Sequence, residues 1–199
     1  MPRPRIHDET LRLRLLEQAG RLLAEEGPQA LSLRKLAAEA GTSTTAVYSL
    51  FGGKTELVHD VYTEAFRRFG AKLAEVQPTD DPVEDLRRLA LAYRAYALAN
   101  PHLYAVMFGR PIPGAEPEDK ADPERDEDFR PLLDLVIRAE EAGLLIDVPA
   151  REVALGLWAI VHGLMSLELN RNVEDTRYEL VVGAAMRGWL RDPSLLSPA

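Results

Sequence analysis

The chain has 199 residues, no cysteine and a formal charge of −8, a size that suits one or two domains with a full core and no crosslinks. The lack of cysteine excludes disulfides and thiolate metal ligands and fits a reducing compartment. The acidic excess argues against a polyanionic partner, but residues 1–54 hold eight basic and six acidic residues, a balance of +2 that leaves −10 for the rest, so a mildly basic head sits on an acidic body.

The opening, MPRPRIHDETLRLRLL, lacks the apolar block and cleavage site of a secretory leader. No apolar run reaches the roughly 18 residues of a spanning helix. A soluble, cytoplasmic protein without a membrane partner is expected. The first helix is predicted from near Asp8 to Glu26 and is stopped by Gly27-Pro28. Arg3 and Arg5 precede it and suit phosphate contact, a reach into a minor groove or a solvated terminus. Ser32 caps the second helix, although Lys35 stands where a reciprocal capping box needs an acid or amide. Leu33, Leu36, Ala37 and Ala40 make its apolar stripe, and Gly41 supplies the left-handed residue of a tight turn. Ser43 caps a third helix that shows Thr44, Thr45, Tyr48 and Ser49 to solvent and buries Ala46, Val47 and Leu50. Two short helices about such a turn, the second polar outward, suit a helix-turn-helix whose second helix lies in a DNA groove.

From Lys54 to about Val76 a long helix carries Leu57, Val58, Val61, Tyr62, Ala65, Phe66, Phe69 and Leu73 on one face and joins head to body. Pro78 through Pro82 breaks the chain. The next helix runs from about Val83 to Ala99, and Asn100-Pro101 opens a short one through Phe108. Gly109 to Asp128 is rich in proline and acid and is expected to form a mobile loop. Its part from Glu116 to Asp128 lacks the ligand spacing of a calcium loop. Helical pattern resumes from Pro131 to Ala142 and ends at Gly143. The last two helices, 151–169 and about Asp175 to Leu190, are apolar around most of their circumference and contain Gly156, Gly163, Gly183 and Gly188. Close approach to other helices would offset the propensity those glycines cost. The natural use is a homodimer interface formed by Ala159, Gly163 and Leu167 with Val181, Ala184, Ala185 and Trp189; full burial within one chain is the other possibility. The expectation is an all-α fold of about nine helices. It divides into a helix-turn-helix domain over 1–54 and a second helical domain over 55–199, read as a dimerisation domain from its last two helices and as ligand-binding from the family resemblance carried by the residues that follow.

The order Leu15, Ala19, Leu22, Leu23, Gly27, Leu36-Ala37, Ala40-Gly41, Ser43, Tyr48, Phe51, Lys54, Leu57, Val58 resembles the amino-terminal pattern of the tetracycline-repressor (TetR) family over roughly residues 8 to 70. Thr42, Leu50 and Gly52-Gly53 depart from that pattern in small ways. The carboxy-terminal Trp158-x-x-x-His162-Gly163, following Asn100-Pro101-x-x-Tyr104-x-x-Met107-Phe108, is similar to the TetR-like domain named for its Trp-His-Gly signature. The resemblance implies a ligand-responsive transcriptional regulator, in most cases a repressor, with operator DNA, a small-molecule effector and a second copy of itself as partners.

In the head, Thr44 and Thr45 are placed to meet base edges and Tyr48 to reach a phosphate. Lys54 and the helix amides behind it make a phosphate anchor. Thr42 and Ser43 hold the backbone on the other side, with Arg34 and Ser49 as further DNA-facing groups. In the body, Tyr93, Tyr96, Tyr104, Met107, Phe108, Trp158, His162 and Met165 combine aromatic walls with a few polar ends, which suits a small-molecule pocket or a filled core. His7, His59, His102 and His162 are scattered, Ser166 lacks a nucleophile elbow, and Gly52-Gly53-Lys54-Thr55 is only the end of a phosphate loop. No enzyme, metal or cofactor is expected. The alternative function is a helix-turn-helix dimer acting as a DNA- or protein-binding module without an effector.

Overall fold

The computed structural model describes residues 5–109, 129–171 and 176–196, with side chains over 9–109, 129–169 and 178–196. The expected loop over Gly109 to Asp128 lies outside these residues apart from Gly109, as do Arg3 and the Arg5 side chain. Among the described residues nine α-helices follow in order: α1 (Arg5–Glu26), α2 (Leu33–Glu39), α3 (Thr44–Phe51), α4 (Lys54–Ala74), α5 (Pro82–Ala99), α6 (Pro101–Phe108), α7 (Arg130–Glu141), α8 (Ala150–Arg171) and α9 (Thr176–Trp189). A 3-10 turn at Pro193–Leu195 and an antiparallel bridge between Leu145 and Leu190 complete the described elements.

Local chemistry explains most boundaries. α4 stops at Ala74 because the N–H groups of Glu75 and Val76 turn back to the carbonyls of Lys72 and Leu73, at 3.3 and 3.1 Å, tightening the last turn. Asp81 opens α5 by accepting the N–H groups of Val83 and Glu84 through Oδ1, both at 3.0 Å, with Pro82 in the first turn. Gly143 (φ 70°) closes α7: its own N–H bonds Glu140 O at 2.8 Å and that of Leu144 bonds Ala139 O at 3.0 Å.

Two compact units emerge, Met1–Arg68 with Asn100–Ala121 and Phe69–Ala99 with Asp122–Ala199. Compactness thus divides the chain after Arg68, later than the boundary expected at residue 54, because the first turns of α4 complete the core of α1, α2 and α3. Leu15, Leu16, Leu36, Val47 and Leu57 are fully buried at the centre of that unit. α6 belongs to it as well: a Cβ on Gly20 of α1 would stand 3.2 Å from the Leu103 side chain, so α1 and α6 pack closely there.

In the second unit α5, α7, α8 and α9 surround Val136, Val153 and Met165. Asp85 of α5 is buried and accepts the Thr79 N–H at 2.7 Å, the Thr79 hydroxyl at 2.9 Å and Arg138 Nη1 at 3.0 Å. Burial opposes its ionisation, but these donors hold its carboxyl below the usual carboxylate range. Arg94 of α5 forms a two-point ion pair with Glu168 of α8, at 3.1 and 2.7 Å, while its guanidinium lies 5.3 Å from the Tyr178 ring of α9. One expectation needs correction: over Ala150–Leu169, α8 is 20 residues long with mean hydropathy 1.4, enough by length and composition to cross a membrane. A helix that packs on others in a core or interface has the same composition, and Glu168 is already paired within the unit.

Candidate nucleic-acid interface

The head is built from its caps upward. Ser32 Oγ accepts the Lys35 N–H at 3.5 Å and starts α2, which buries Leu33, Leu36 and Ala37. Gly41 (φ 63°) ends it: the Gly41 N–H bonds Ala38 O at 3.2 Å and the Thr42 N–H bonds Ala37 O at 2.9 Å, the paired bonds of a Schellman turn. Two residues later Ser43 Oγ accepts the Ala46 N–H at 3.1 Å and starts α3. The turn is short because one glycine and one serine satisfy both helix ends.

On α3 the buried stripe is Val47 and Phe51. Ala46 and Leu50, expected inside with Val47, are only half-buried, because in an eight-residue helix the stripe is the i, i+4 pair and both flank it. Thr45, Tyr48 and Ser49 face outward, Tyr48 with 54% of its surface exposed, and Thr44 is half-buried. Ser43, Arg34 and Lys54 are exposed and Thr42 is half-buried, so each DNA-facing candidate has some accessible surface. Gly52 (φ 83°) ends α3 and donates to Tyr48 O at 2.8 Å; the Leu57 N–H then bonds Gly53 O at 3.1 Å, placing Lys54 in the first turn of α4.

Two residues at this surface escape a sequence reading centred on α3. Glu56 folds back over the start of α4, its Oε2 lying 2.6 Å from where a Cβ on Gly53 would stand, so an anion shares the end at which Lys54 offers a cation. The signal was present as an acid three residues after a capping position. Arg12 of α1 pairs with Asp60 of α4 at 2.7 Å and lies 5.7 Å from the centre of the Phe51 ring of α3. Nothing local in the sequence marks that contact, since Arg12 and Asp60 stand 48 residues apart.

The aromatic candidates fall into two groups. Tyr104, Met107 and Phe108 of α6 lie in the first unit, where Phe108 meets Tyr104 at 4.9 Å and Phe66 at 5.6 Å between ring centres. Tyr93, Tyr96, Trp158, His162 and Met165 lie in the second. There Tyr93 Oη stands 3.3 Å from His162 Nδ1, Trp158 and His162 are 5.8 Å apart, and Phe69 sits against both tyrosines at 5.1 and 5.3 Å. Phe129 joins Trp158 at 6.1 Å. Burial holds the His162 imidazole below its usual range, so this polar end is neutral near pH 7. On the last two helices Ala159, Leu167, Val181 and Ala184 are exposed and Gly163, Ala185 and Trp189 are half-buried.

Two capped helices about a glycine turn, the second with a polar outer face and a lysine-headed helix behind it, define a helix-turn-helix DNA-binding protein. Residues 15–61 match the family model described as bacterial regulatory proteins, tetR family, and residues 86–190, more than half of the chain, match that of the tetracyclin repressor-like C-terminal domain. The chain therefore belongs to the tetracycline-repressor family of DNA-binding transcriptional regulators, which are not enzymes. Among proteins of known sequence it is 29% identical over 111 residues to an HTH-type transcriptional regulator of Mycobacterium tuberculosis, a match covering 53% of this chain and 47% of that protein. The chain thus spans about half the length of the curated relatives it matches. Among solved structures, the TetR family regulator PfmR from Thermus thermophilus is 26% identical, with a TM-score of 0.72 over 90% of this chain and 98% of that one. NalD, the secondary repressor of the MexAB-OprM multidrug efflux pump in Pseudomonas aeruginosa, shares the fold at 21% identity, with a TM-score of 0.70 over 94% of this chain and 99% of its own.

Proposed function

We propose that this protein is a homodimeric, cytoplasmic repressor that releases its operator when a small, largely apolar effector binds. In this reading residues 1–54 bind DNA and 55–199 bind the effector and a second copy. The polar outer face of α3 is the observation that carries it: Thr45, Tyr48 and Ser49 are exposed over a buried Val47 and Phe51, as a groove-entering helix requires. Thr44 and Thr45 read base edges, Tyr48, Ser49, Thr42, Ser43 and Arg34 hold the backbone, and Lys54 anchors a phosphate. Two such heads on an isologous dimer meet a near-palindromic site. The Tyr93, His162 and Trp158 group supports an effector site that is apolar with one neutral hydrogen-bonding end. Selection of bound sequences from a random duplex pool tests the reading. It should return a near-palindrome whose affinity falls as salt rises, and failure to enrich any sequence at low salt would refute it.

A further inference from the structure

The Arg12 guanidinium touches three helices at once. It extends from α1, pairs with Asp60 Oδ2 of α4 at 2.7 Å and lies 5.7 Å from the centre of the ring of Phe51, the last residue of α3. Phe51 is itself 94% buried, so the group above it bears on a fixed ring rather than on a mobile side chain. Arg12 and Asp60 are each 31% exposed and line a cleft between α1 and α4, so the pair is partly screened while the ring covers one face of the guanidinium. A planar guanidinium can stack on an aromatic face and bond a carboxylate at the same time, which an ammonium cannot reproduce.

We propose that Arg12 is a positioning residue for DNA recognition: it sets the angle of α3 against the lysine-headed start of α4 without touching DNA. The proposal rests on the reading of α3 as the groove-entering helix. Base readout by Thr44 and Thr45 requires that angle to be right at the moment phosphates are held at Lys54, whereas non-specific binding to the backbone does not. Loss of the tether therefore costs specific affinity and spares non-specific affinity.

Charge alone makes the opposite forecast for one half of the pair, and this separates the explanations. Arg12→Ala removes a cation and Asp60→Asn removes an anion, so simple attraction to DNA predicts weaker binding for the first and tighter binding for the second. Positioning predicts that both lose affinity for the selected duplex, by about tenfold at most, the combined worth of a cation–π contact and a partly exposed ion pair. Neither should change affinity for a scrambled duplex of the same length, nor the salt slope for the selected one. The double variant should lose no more than either single one. Affinities are taken per folded, active molecule, so a change in stability alone moves none of these readouts, and Asp60→Asn carries the test if Arg12→Ala does not fold. Equal losses on both duplexes with a salt slope lowered by about 1 would make Arg12 a phosphate ligand and overturn the proposal. So would tighter binding by Asp60→Asn, or wild-type specificity in both variants. A wild-type protein that selects no sequence would instead remove the reading on which the proposal rests.

Discussion

The α2–α3 head and the α8–α9 pair use short and long helices for opposite purposes. In the head, helices of seven and eight residues are too short to persist alone and are held by two serine caps, a Schellman turn and a buried seam. Its outward face is polar and ready for a charged partner. In the pair, helices of 22 and 14 residues leave Leu167, Leu180 and Val181 between 39 and 50% exposed. A helix can thus be complete in its backbone and incomplete in its surface. The head is finished by local hydrogen bonds, while the pair keeps exposed apolar side chains on which the proposed second copy would sit.

The largest effect expected follows from that second half. Val181→Asp or Ala184→Asp places a charge on an exposed site, so the single chain should fold nearly as well as before. In an isologous dimer the new carboxylates meet in a dry contact. Sedimentation should show monomers, and operator affinity should fall by roughly 100-fold to 10 000-fold as the avidity of two heads is lost. A wild-type protein that is monomeric at micromolar concentration would show that α8 and α9 form no interface between copies.

Effector coupling comes next in size. α4 supplies Leu57 and Val61 to the core of the head and Phe69 to the aromatic group around Tyr93 and Tyr96, so residues of one helix take part in both groups. An effector that prefers the DNA-incompatible state by about 100-fold supplies roughly 2.7 kcal/mol of coupling. Linkage then requires operator DNA to weaken effector binding by the same factor. Calorimetric titration of a confirmed effector with and without operator measures this, and equal affinities would mean that the body does not govern the head.

Within the head, Lys54→Ala should weaken binding to any duplex by about tenfold per half-site near 0.1 M salt and lower the salt slope by about 1, the contribution of one phosphate. Tyr48→Phe removes a neutral donor and should cost about 0.5–1.5 kcal/mol with the slope unchanged. Changes at Thr44 or Thr45 should alter sequence preference instead. Filter binding of these variants across salt concentrations distinguishes phosphate contacts from base readout.

How much of this was legible in the sequence follows the distance over which each constraint acts. Ser32, Gly41 and Ser43 announce the helix-turn-helix because caps and a left-handed residue act within four positions. The helical periods of α4, α5, α8 and α9 are equally visible, as each long helix repeats its pattern several times. The half-burial of Ala46 and Leu50 was not, since two turns give too few repeats to separate the centre of a stripe from its flanks. The association of α6 with α1, which puts Tyr104, Met107 and Phe108 in the first compact unit, depends on contacts across some eighty residues. Arg12 on Asp60 is of the same long-range kind. Which residues touch DNA, an effector or a second copy depends on molecules outside the chain, so pattern could nominate them only by type.

A smaller effect tests how firmly the head is held. Glu64 of α4 is 7% exposed and accepts Arg67 Nε and Nη2 at 2.7 and 2.8 Å and Arg68 Nε at 2.7 Å. The hydrogen bonds from Arg67 lead in holding its carboxyl down to about 2 from 4.5, against burial and with help from Arg68. A lowered folded value means stability that is fully present above pH 4.5 and is lost as pH falls through about 2. Urea unfolding of wild type and Glu64→Gln should therefore differ by a constant amount from pH 7 to 5 and converge below it. A constant difference down to pH 2 would show that the ion pairs do not contribute.

The finest test sets two glycines of α8 against each other. A Cβ added at Gly156 would lie 3.1 Å from Trp189 Cζ2 within the same chain, so Gly156→Ala must shift that ring and should gain little or lose stability. At Gly163 nothing stands within 4 Å, and alanine there should gain the ordinary helix preference of about 0.5–1 kcal/mol. That gain, a few degrees in thermal midpoint for a chain of this length, should appear in the monomeric Val181→Asp background. In the wild-type background the same methyl enters the space a second copy approaches and should weaken dimerisation instead. Opposite signs in the two backgrounds would mark Gly163 as a point of close contact between copies, whereas equal gains in both would take it out of the interface and leave Leu167 and Val181 to define that face.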